Sequence, residues 1–438
     1  MADTLFPDRQ PSGPGILPSQ EIRDFVDTGV ISSSVTAVGD DQVQPSSIDL
    51  RLSGVAYRVQ ASFLPGRNTT LENKAKSNGM FNSQLDISKP TLLERNVIYI
   101  IPLMESLRLP PDVFGIANPK STTGRLDIFT RLITETGDEF ERVRKGYVGR
   151  LYIEVMSQSF PIIVQAGMKL NQLRFCRGKL VPTGDSTLRQ LDSDDPFTET
   201  DPDGGDPGDE PELIHHGVRV TVDLKGNGSD VVAYRAKRNA PPVDLSKINF
   251  YEISEFWHTI YRDERLILEP GEFYILASKQ RVRVKPQFAV EMLPYDLATQ
   301  EFRVHYAGFF DPGFGYGAHG EVPGTKAVLE VRASQMPILL EDNQFVGRLH
   351  YYKMSEIPQR IYGGIIGSSY QQQGLALSKQ FKREPQYISG TIPHVIGSAN
   401  IDDVSDNPVD DDEDGSTLNL AFPDSGMGQL IHARDPRE

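Results

Sequence analysis

Residues 159–175 read S-F-P-I-I-V-Q-A-G-M-K-L-N-Q-L-R-F, and residues 335–351 read Q-M-P-I-L-L-E-D-N-Q-F-V-G-R-L-H-Y. The two stretches share the same succession of an apolar run, a polar turn and a second apolar run. Upstream of each lies a Leu-Glu pair followed by an apolar run, at residues 93–101 and 268–276. Two matching segments in the same order and at nearly the same separation predict an internal duplication, in which both halves share one fold.

The apolar segments of both halves are short and rich in β-branched and aromatic residues, and Pro, Gly, Asn or Asp separates them. This pattern is typical of strands joined by turns. Helical periodicity is rare; the clearest case is residues 19–28, where Ser19 can cap and Ile22, Phe25 and Val26 share a face. We therefore predict an all-β protein of two tandem distorted β-barrel or jelly-roll domains with a few short helices.

Acidic runs predict the domain boundaries. Residues 191–211 and 402–414 are rich in Asp and Glu and poor in apolar residues, so neither run can build a core. The predicted parts are a first repeat (1–188), an acidic Pro/Gly linker (189–214), a second repeat (215–392) and a flexible acidic tail (393–438).

Composition narrows the classes of function. The 438 residues carry a formal net charge of -15, which argues against a general affinity for nucleic acids. No apolar run approaches the roughly 18 residues of a membrane helix, and the N-terminus lacks a signal-peptide pattern, so we expect no membrane partner and a cytoplasmic location. The single cysteine, Cys176, excludes an internal disulfide and a Cys-x-x-Cys zinc site.

Residues 118–126, N-P-K-S-T-T-G-R-L, concentrate phosphate-binding chemistry. Lys120 and Arg125 offer positive charge, while Ser121, Thr122 and the backbone N–H groups of a short turn offer further donors. A Ser/Thr-rich turn that merely caps a helix is a common alternative, and residue types alone do not decide between the two.

Several motifs in order resemble the dCTP deaminase family, within the superfamily that includes the trimeric dUTPases. In the first repeat they are Q-P-S-S-I-D-L-R-L (44–52), N-P-K-S-T-T-G-R-L (118–126) and G-Y-V-G-R-L-Y-I-E (146–154). In the second they are V-H-Y-A-G-F-F-D-P-G-F-G (304–315), A-V-L-E-V (327–331) and Q-Q-Q-G (371–374). The resemblance implies that both repeats are dUTPase-like domains. We interpret Ser46, Ser47 and Asp49 of the first motif as structural.

The resemblance also implies a deaminase without zinc, in which a Ser, an Arg, a backbone carbonyl and a proton-shuttling Glu hold the attacking water. Ser121 and Arg125 would orient that water, and Lys120 and Thr122 would bind the phosphates. Mg²⁺ is expected to arrive with the triphosphate, held by phosphates and water more than by dedicated carboxylates.

Two residues match the position of the family's catalytic Glu, namely Glu154 and Glu330, in equivalent places of the two repeats. A Glu inside a strand is more often solvent-facing. The alternation of apolar neighbours does not decide which face either residue occupies, so both stay candidates.

The two repeats have lost complementary parts of the family's site. The first repeat has its predicted phosphate-binding turn at residues 118–126, which we call the phosphate turn. In the second repeat the positions of Lys120, Ser121 and Arg125 are occupied by Tyr295, Asp296 and Gln300. The second repeat keeps the base-binding hairpin, with Ala307 and the Asp311 turn, and it is followed by a closing segment that contains Gln372. The first repeat has the charged stretch 133–145 in place of the hairpin. His305 either lies near the pocket or is a half-buried strand histidine.

We therefore hypothesise a composite site, in which the first repeat supplies Lys120, Ser121, Thr122 and Arg125 and the second supplies Ala307, Glu330 and Gln372. Whether these repeats belong to one chain or to neighbouring chains stays open. The expected partners are dCTP as substrate and copies of the same chain, with a homotrimer favoured by the resemblance.

The function implied is hydrolytic deamination of dCTP to dUTP and ammonia, which supplies a precursor of thymidine nucleotides. One alternative is a dUTP pyrophosphatase or a bifunctional dCTP deaminase and dUTPase, because Asp311 lies in a turn that both groups share. A second alternative is a non-catalytic nucleotide-binding protein, because duplication often frees one copy to decay.

Overall fold

The computed structural model describes residues 12–199, 213–226, 229–294, 302–305, 308–333, 335–363 and 374–383. These residues form mostly strands with a few short helices, so the predicted all-β class is confirmed. The strands up to residue 199 are β1 (Gly15–Ile16), β2 (Ile31–Ser33), β3 (Ile48–Arg51), β4 (Val55–Val59), β5 (Phe81–Asp86), β6 (Thr91–Leu93), β7 (Tyr99–Arg108), β8 (Val113–Pro119), β9 (Ile128–Thr134), β10 (Arg142–Val143), β11 (Val148–Ser157), β12 (Ile162–Val164), β13 (Lys169–Arg177) and β14 (Thr198–Glu199).

The later strands are β15 (Val218–Thr221), β16 (Val231–Ala236), β17 (Val243–Asp244), β18 (Trp257–Tyr261), β19 (Arg265–Leu268), β20 (Phe273–Val282), β21 (Phe288–Pro294), β22 (Phe302–His305), β23 (Phe309–Phe310), β24 (Thr325–Ala333), β25 (Ile338–Glu341) and β26 (Phe345–Lys353). The helices are α1 (Ser19–Asp27), α2 (Leu71–Ser77), α3 (Ser121–Gly124), α4 (Asp185–Asp194) and α5 (Ile253–Phe256), with a 3-10 turn at Asp40–Gln42. No helix in the described part of the chain is long and apolar enough to cross a membrane.

Strand pairing repeats between the two halves. The order β3-β13-β8-β10 in the first repeat matches β15-β26-β21-β23 in the second. Likewise β5-β4-β7-β11-β9 matches β18-β16-β20-β24-β22, and the pair β6-β12 matches β19-β25. Similar apolar patterns have therefore produced the same sheets twice, as the duplication predicts.

The two repeats are packed into one another. Strand β17 of the second repeat pairs in parallel with β12 of the first, where Ile162 is opposite Val243. The core of the first repeat also buries apolar side chains of the second, including Trp257, Phe273 and Phe381. The second repeat therefore completes part of the hydrophobic core of the first.

The beginning of the predicted linker is not an exposed linker. Residues 185–194 form α4, and β14 pairs with β20. Leu188 and Phe197 are fully buried, and the ring of Phe197 lies 4.5 Å from that of Tyr351. The burial of these two apolar side chains stabilises the segment despite its acidic composition. In addition, Arg283 Nη1 forms an ion pair with Asp195 Oδ1 at 2.7 Å. The rest of the linker up to 212, and the tail, lie outside the described residues.

Helix α1 forms where periodicity predicts it, and Ile22 and Phe25 are buried as expected. The predicted cap is wrong, because Pro18 occupies the N-cap position and Ser19 is already helical. Proline has no N–H to satisfy at a helix start, so it begins the helix without a side-chain cap.

Candidate functional site

The stretch around Lys120 forms a sharp turn at the end of a strand. Strand β8 ends at Pro119, Lys120 keeps an extended backbone, and α3 is a single turn of helix. The backbone N–H of Arg125 donates to the carbonyl of Ser121 at 3.0 Å and closes this turn. The stretch therefore contains a helical turn, but Lys120 occupies the N-cap position and no side-chain hydrogen bond caps the turn.

Lys120 forms an ion pair with the first motif of the sequence. Its Nζ donates to both carboxylate oxygens of Asp49, at 2.5 and 2.6 Å. Asp49 lies on β3 and is buried, so its negative charge holds the ammonium at the cavity wall. A phosphate that reaches Lys120 would share this ammonium with Asp49.

A cavity of about 280 Å³ lies beside the turn. Its wall includes Lys120, Thr122, Lys169 and Lys379, with Asp49 as a carboxylate of the lining. Burial, reinforced by the charge of Lys120, lowers the pKa of Lys379 below its usual range. Lys120 pairs with Asp49 and Lys169 pairs with Asp41, so an anion in the cavity would share these two ammonium groups with carboxylates and would also interact with Lys379.

A segment of the second repeat, residues 374–383, lies on the phosphate turn. Arg125 Nη1 donates to the carbonyl of Ala376 at 3.0 Å, and Ser378 Oγ donates to the carbonyl of Thr122 at 2.8 Å. Leu377 and Phe381 anchor the segment in the core of the first repeat. Gln372, the predicted substrate contact, lies outside the described residues.

Glu330 is buried in the middle of β24, with 5% of its surface exposed. Burial raises its pKa well above the usual range, the charge of Arg125 opposes this rise, and the charge of Asp127 adds to it. Arg125 itself is 4% exposed and belongs to the other repeat. The structure therefore brings an arginine of the first repeat and a glutamate of the second together within one chain.

Glu154 is also buried, with 1% of its surface exposed, but its surroundings differ. Arg131 on the neighbouring strand β9 donates to Glu154 Oε1 from Nε at 3.1 Å and from Nη2 at 2.7 Å. The guanidinium of Arg131 in turn lies 3.6 Å from the ring centre of Phe140. Both candidates are therefore buried, although a glutamate inside a strand more often faces solvent, and each has a cation near its carboxylate.

The turn at Asp311, in the hairpin that is predicted to bind the base, contacts the first repeat. Asp311 accepts a hydrogen bond from Ser46 Oγ at 2.5 Å and lies 3.6 Å from Arg174 Nη2. Arg174, which is 1% exposed, also donates to the carbonyls of Val290 and Phe310 at 3.3 and 3.4 Å. Ser46 is thus a structural contact, and Arg174 is a hairpin anchor that sequence reasoning missed.

The remaining hairpin residues are described only in part. His305 lies on β22 directly across from Glu330 on β24. Ala307 lies outside the described residues, as do Tyr295, Asp296 and Gln300 of the degraded phosphate turn.

Sequence reasoning also missed Lys379, Asp127 and Arg332. A lysine in the segment that follows Q-Q-Q-G was a signal for the first of these. For Arg332 the signal was its place two residues after Glu330, which puts both side chains on the same face of β24. Asp127 is separated from Arg332 by 205 residues, so no local pattern links them.

No group of three or more His, Cys, Asp or Glu side chains within the described ranges is arranged to hold a metal ion. Cys176 is fully buried, and burial raises the pKa of its thiol to about 12.

Comparisons with known proteins agree with the motifs. Residues 13–179 match the model of the 2'-deoxycytidine 5'-triphosphate deaminase (DCD) N-terminal domain, and residues 204–381 match that of the C-terminal domain. The crystal structure of 2'-deoxycytidine 5'-triphosphate deaminase from Agrobacterium tumefaciens is 42% identical, with a TM-score of 0.71 over 78% of this chain and 99% of that one.

Two curated relatives are more distant. A dCTP deaminase, dUMP-forming, from Mycobacterium sp. (strain KMS) is 29% identical over 165 residues, 37% of this chain and 80% of the relative. A dCTP deaminase from Mannheimia succiniciproducens is 24% identical over 162 residues, 35% of this chain and 79% of the relative. Two tandem dUTPase-like repeats define the class, and the chain belongs to the dCTP deaminase family.

Proposed function

We propose that this chain hydrolyses the amino group of dCTP and releases ammonia and dUTP. The observation that carries the proposal is the buried carboxyl of Glu330 with the charge of Arg125 close to it, where Arg125 belongs to the same turn as Lys120 and Thr122 of the cavity wall. A carboxyl group whose pKa is raised by burial can both accept and return a proton near neutral pH.

In the proposed reaction, Ser121 and Arg125 orient a water molecule towards C4 of cytosine. Glu330 takes a proton from that water as it attacks and delivers it to the ring nitrogen N3. Glu330 then takes the remaining proton from the new hydroxyl on C4 and delivers it to the amine. The C4–N bond breaks, ammonia leaves, and C4 becomes a carbonyl. The positive charge of Arg125 stabilises negative charge that develops on the attacking oxygen. Ala307 supplies a carbonyl for the same water in this proposal.

The phosphates are proposed to bind Lys120, Thr122, Lys169 and Lys379 around the cavity. Ammonium groups and a hydroxyl are suitable donors for a triphosphate. The carboxylate of Asp49 is already paired with Lys120, so Mg²⁺ would be held by phosphate oxygens and water. We propose that Gln372 and His305 complete the pocket around the nucleoside.

Catalysis without zinc is part of the proposal. Zinc-dependent nucleobase deaminases need a cysteine-rich ligand set. Cys176 is the single cysteine of the sequence, and its buried thiol with a raised pKa is a poor source of thiolate.

Formation of dUMP is the second candidate, because one similar relative is a dUMP-forming dCTP deaminase. A bifunctional enzyme or a dUTP pyrophosphatase would release pyrophosphate, whereas a deaminase alone would not. Incubating the purified chain with dCTP and Mg²⁺, and separately with dUTP, and then measuring ammonia, dUTP, dUMP and pyrophosphate separates these reactions. Ammonia with dUTP supports the proposal; binding of dCTP without any product would mean a non-catalytic nucleotide-binding protein.

The oligomeric state is proposed from the family resemblance. We propose a homotrimer, which light scattering coupled to gel filtration would detect as three times the 48.8 kDa mass of the chain. A monomer that is fully active would contradict the trimer but leave the composite site within one chain.

A further inference from the structure

Asp127 directly follows the phosphate turn and is fully buried. Its backbone adopts a left-handed conformation with φ of 58°, which is uncommon for a residue other than glycine. Its N–H donates to the carbonyl of Gly124 at 2.8 Å, and its carbonyl accepts from the N–H of Gln158 at 2.9 Å. The position of the Asp127 carboxylate is therefore tied to that of the turn.

The carboxylate of Asp127 joins the two repeats. Its Oδ2 accepts a hydrogen bond from Ser159 Oγ at 2.6 Å and forms an ion pair with Arg332 Nη2. Arg332 lies on β24, two residues after Glu330, so the two side chains project from the same face of the strand. A guanidinium on that face would be attracted to the Glu330 carboxylate if nothing else held it.

We propose that Asp127 is a positioning residue of the deaminase site, which fixes β24 against the phosphate turn and keeps the Arg332 guanidinium away from Glu330. The inference rests on the proposed function, in which Glu330 shuttles protons. The ion pair between Asp127 and Arg332 leaves Arg125 as the cation that interacts with Glu330.

The charged surroundings of Glu330 give this role a measurable sign. Arg125 and Asp127 face it from the first repeat, Arg332 shares its strand, Ile275 lies opposite on β20, and His305 lies opposite on β22. The charge of Asp127 raises the pKa of Glu330, and that of Arg125 lowers it.

Substitution of Asp127 and substitution of Arg332 should therefore shift the acid limb of the kcat–pH profile in opposite directions. Asp127→Asn removes a negative charge and releases Arg332, so the acid limb of the kcat profile should move to lower pH by about one unit. Arg332→Gln leaves the charge of Asp127 uncompensated, so the same limb should move to higher pH. We expect kcat at the optimum to fall about 10- to 100-fold in both, because Arg125 and Glu330 lose their fixed separation.

Two further variants separate positioning from folding. The double variant Asp127→Asn/Arg332→Gln has neither charge, so its acid limb should return towards that of the wild type. Asp138→Asn is the matched control, since Asp138 pairs with Arg67 at 2.8 Å on the exposed surface, and its profile should be unchanged. Shifts of both single variants in the same direction, or unchanged profiles, would overturn the proposal.

The carboxyl of Glu330 can also be titrated without turnover. Infrared difference spectra of protein labelled with ¹³C-glutamate report its protonation, and the band is assigned by its loss in Glu330→Gln. If the wild type releases no ammonia but the pH midpoint of this band still shifts in opposite directions in the two single variants, the proposed function fails and the role of Asp127 stands. If ammonia is released and the pH midpoint is the same in all variants, Asp127 has no such role.

Discussion

Glu154 and Glu330 occupy equivalent strands of the two repeats, and both are buried. Glu154 receives two hydrogen bonds from Arg131 of its own repeat, and Phe140 packs on that arginine. Glu330 faces an arginine and an aspartate of the other repeat, and its pKa is raised. The two glutamates thus differ in the origin of their cation. Glu154 is held by an arginine on the neighbouring strand of its own repeat, while the cation near Glu330 comes from the other repeat.

The largest difference is expected in activity. Glu330→Gln should lower kcat by about 10²- to 10⁴-fold, because an amide cannot transfer protons. Glu154→Gln should retain most of the activity, since Glu154 is held by Arg131. Ammonia release from dCTP measures both.

The binding of dCTP to each variant, followed by calorimetry, serves as the control that the pocket is intact. Full activity of Glu330→Gln combined with loss of activity in Glu154→Gln would reverse the assignment of the two glutamates.

The second expected difference concerns stability, which Glu330→Gln should raise and Glu154→Gln should lower. The pKa of Glu330 is higher in the folded than in the unfolded chain, so stability falls as pH rises from about 4.5 through the folded pKa. Glu330→Gln removes this loss and should raise Tm above that window. Glu154→Gln leaves Arg131 without its carboxylate and should lower the free energy of unfolding by about 1–3 kcal/mol.

Thermal unfolding of the wild type and both variants from pH 4.5 to 8.5, in the same buffers, would measure the direction of both changes in Tm. The difference between wild type and Glu330→Gln should be smallest at the acid end, where the carboxyl is protonated in the folded chain and about half protonated in the unfolded chain. A difference that is constant across pH would mean that the Glu330 carboxyl does not titrate in the folded chain.

The smallest expected effect concerns residues 374–383 of the second repeat, which contact the first repeat. Lys379→Gln removes one of three ammonium groups at the cavity and should raise the KM for dCTP about tenfold with little change in kcat. Lys382→Gln, three residues later, removes a lysine that pairs with the exposed Glu252 and should leave KM unchanged. Equal effects of both substitutions would show that Lys379 acts only through the overall charge of the segment.

Much of the fold could be predicted from sequence, because strand patterns and turns are local signals. Matching segments around residues 159–175 and 335–351 predicted two copies of one fold, and the pairings of β13 and β26 are equivalent. The acidic stretch after residue 188 misled the prediction, since composition averaged over many residues hides a single anchor such as Phe197.

The candidate site stays a prediction, and its residues could be proposed from sequence where a motif places them close together, as in residues 118–126. Contacts between distant parts of the chain could not be read in the same way. The orientation of Glu154 and Glu330 depends on Arg131 and Arg125, and strand alternation gave no information about either partner. Arg174 and Asp127 act across the repeat boundary, so only the folded structure reveals them.

The burial of Trp257, Phe273 and Phe381 in the core of the first repeat has a consequence for synthesis. The ribosome has to translate most of the chain before this core has all of its side chains, so the first repeat emerges with apolar surface that only later residues can cover. The two products of the duplication therefore share part of one core. We expect the fragments of a gene cut between the repeats to fold better when they are expressed together than when they are expressed apart.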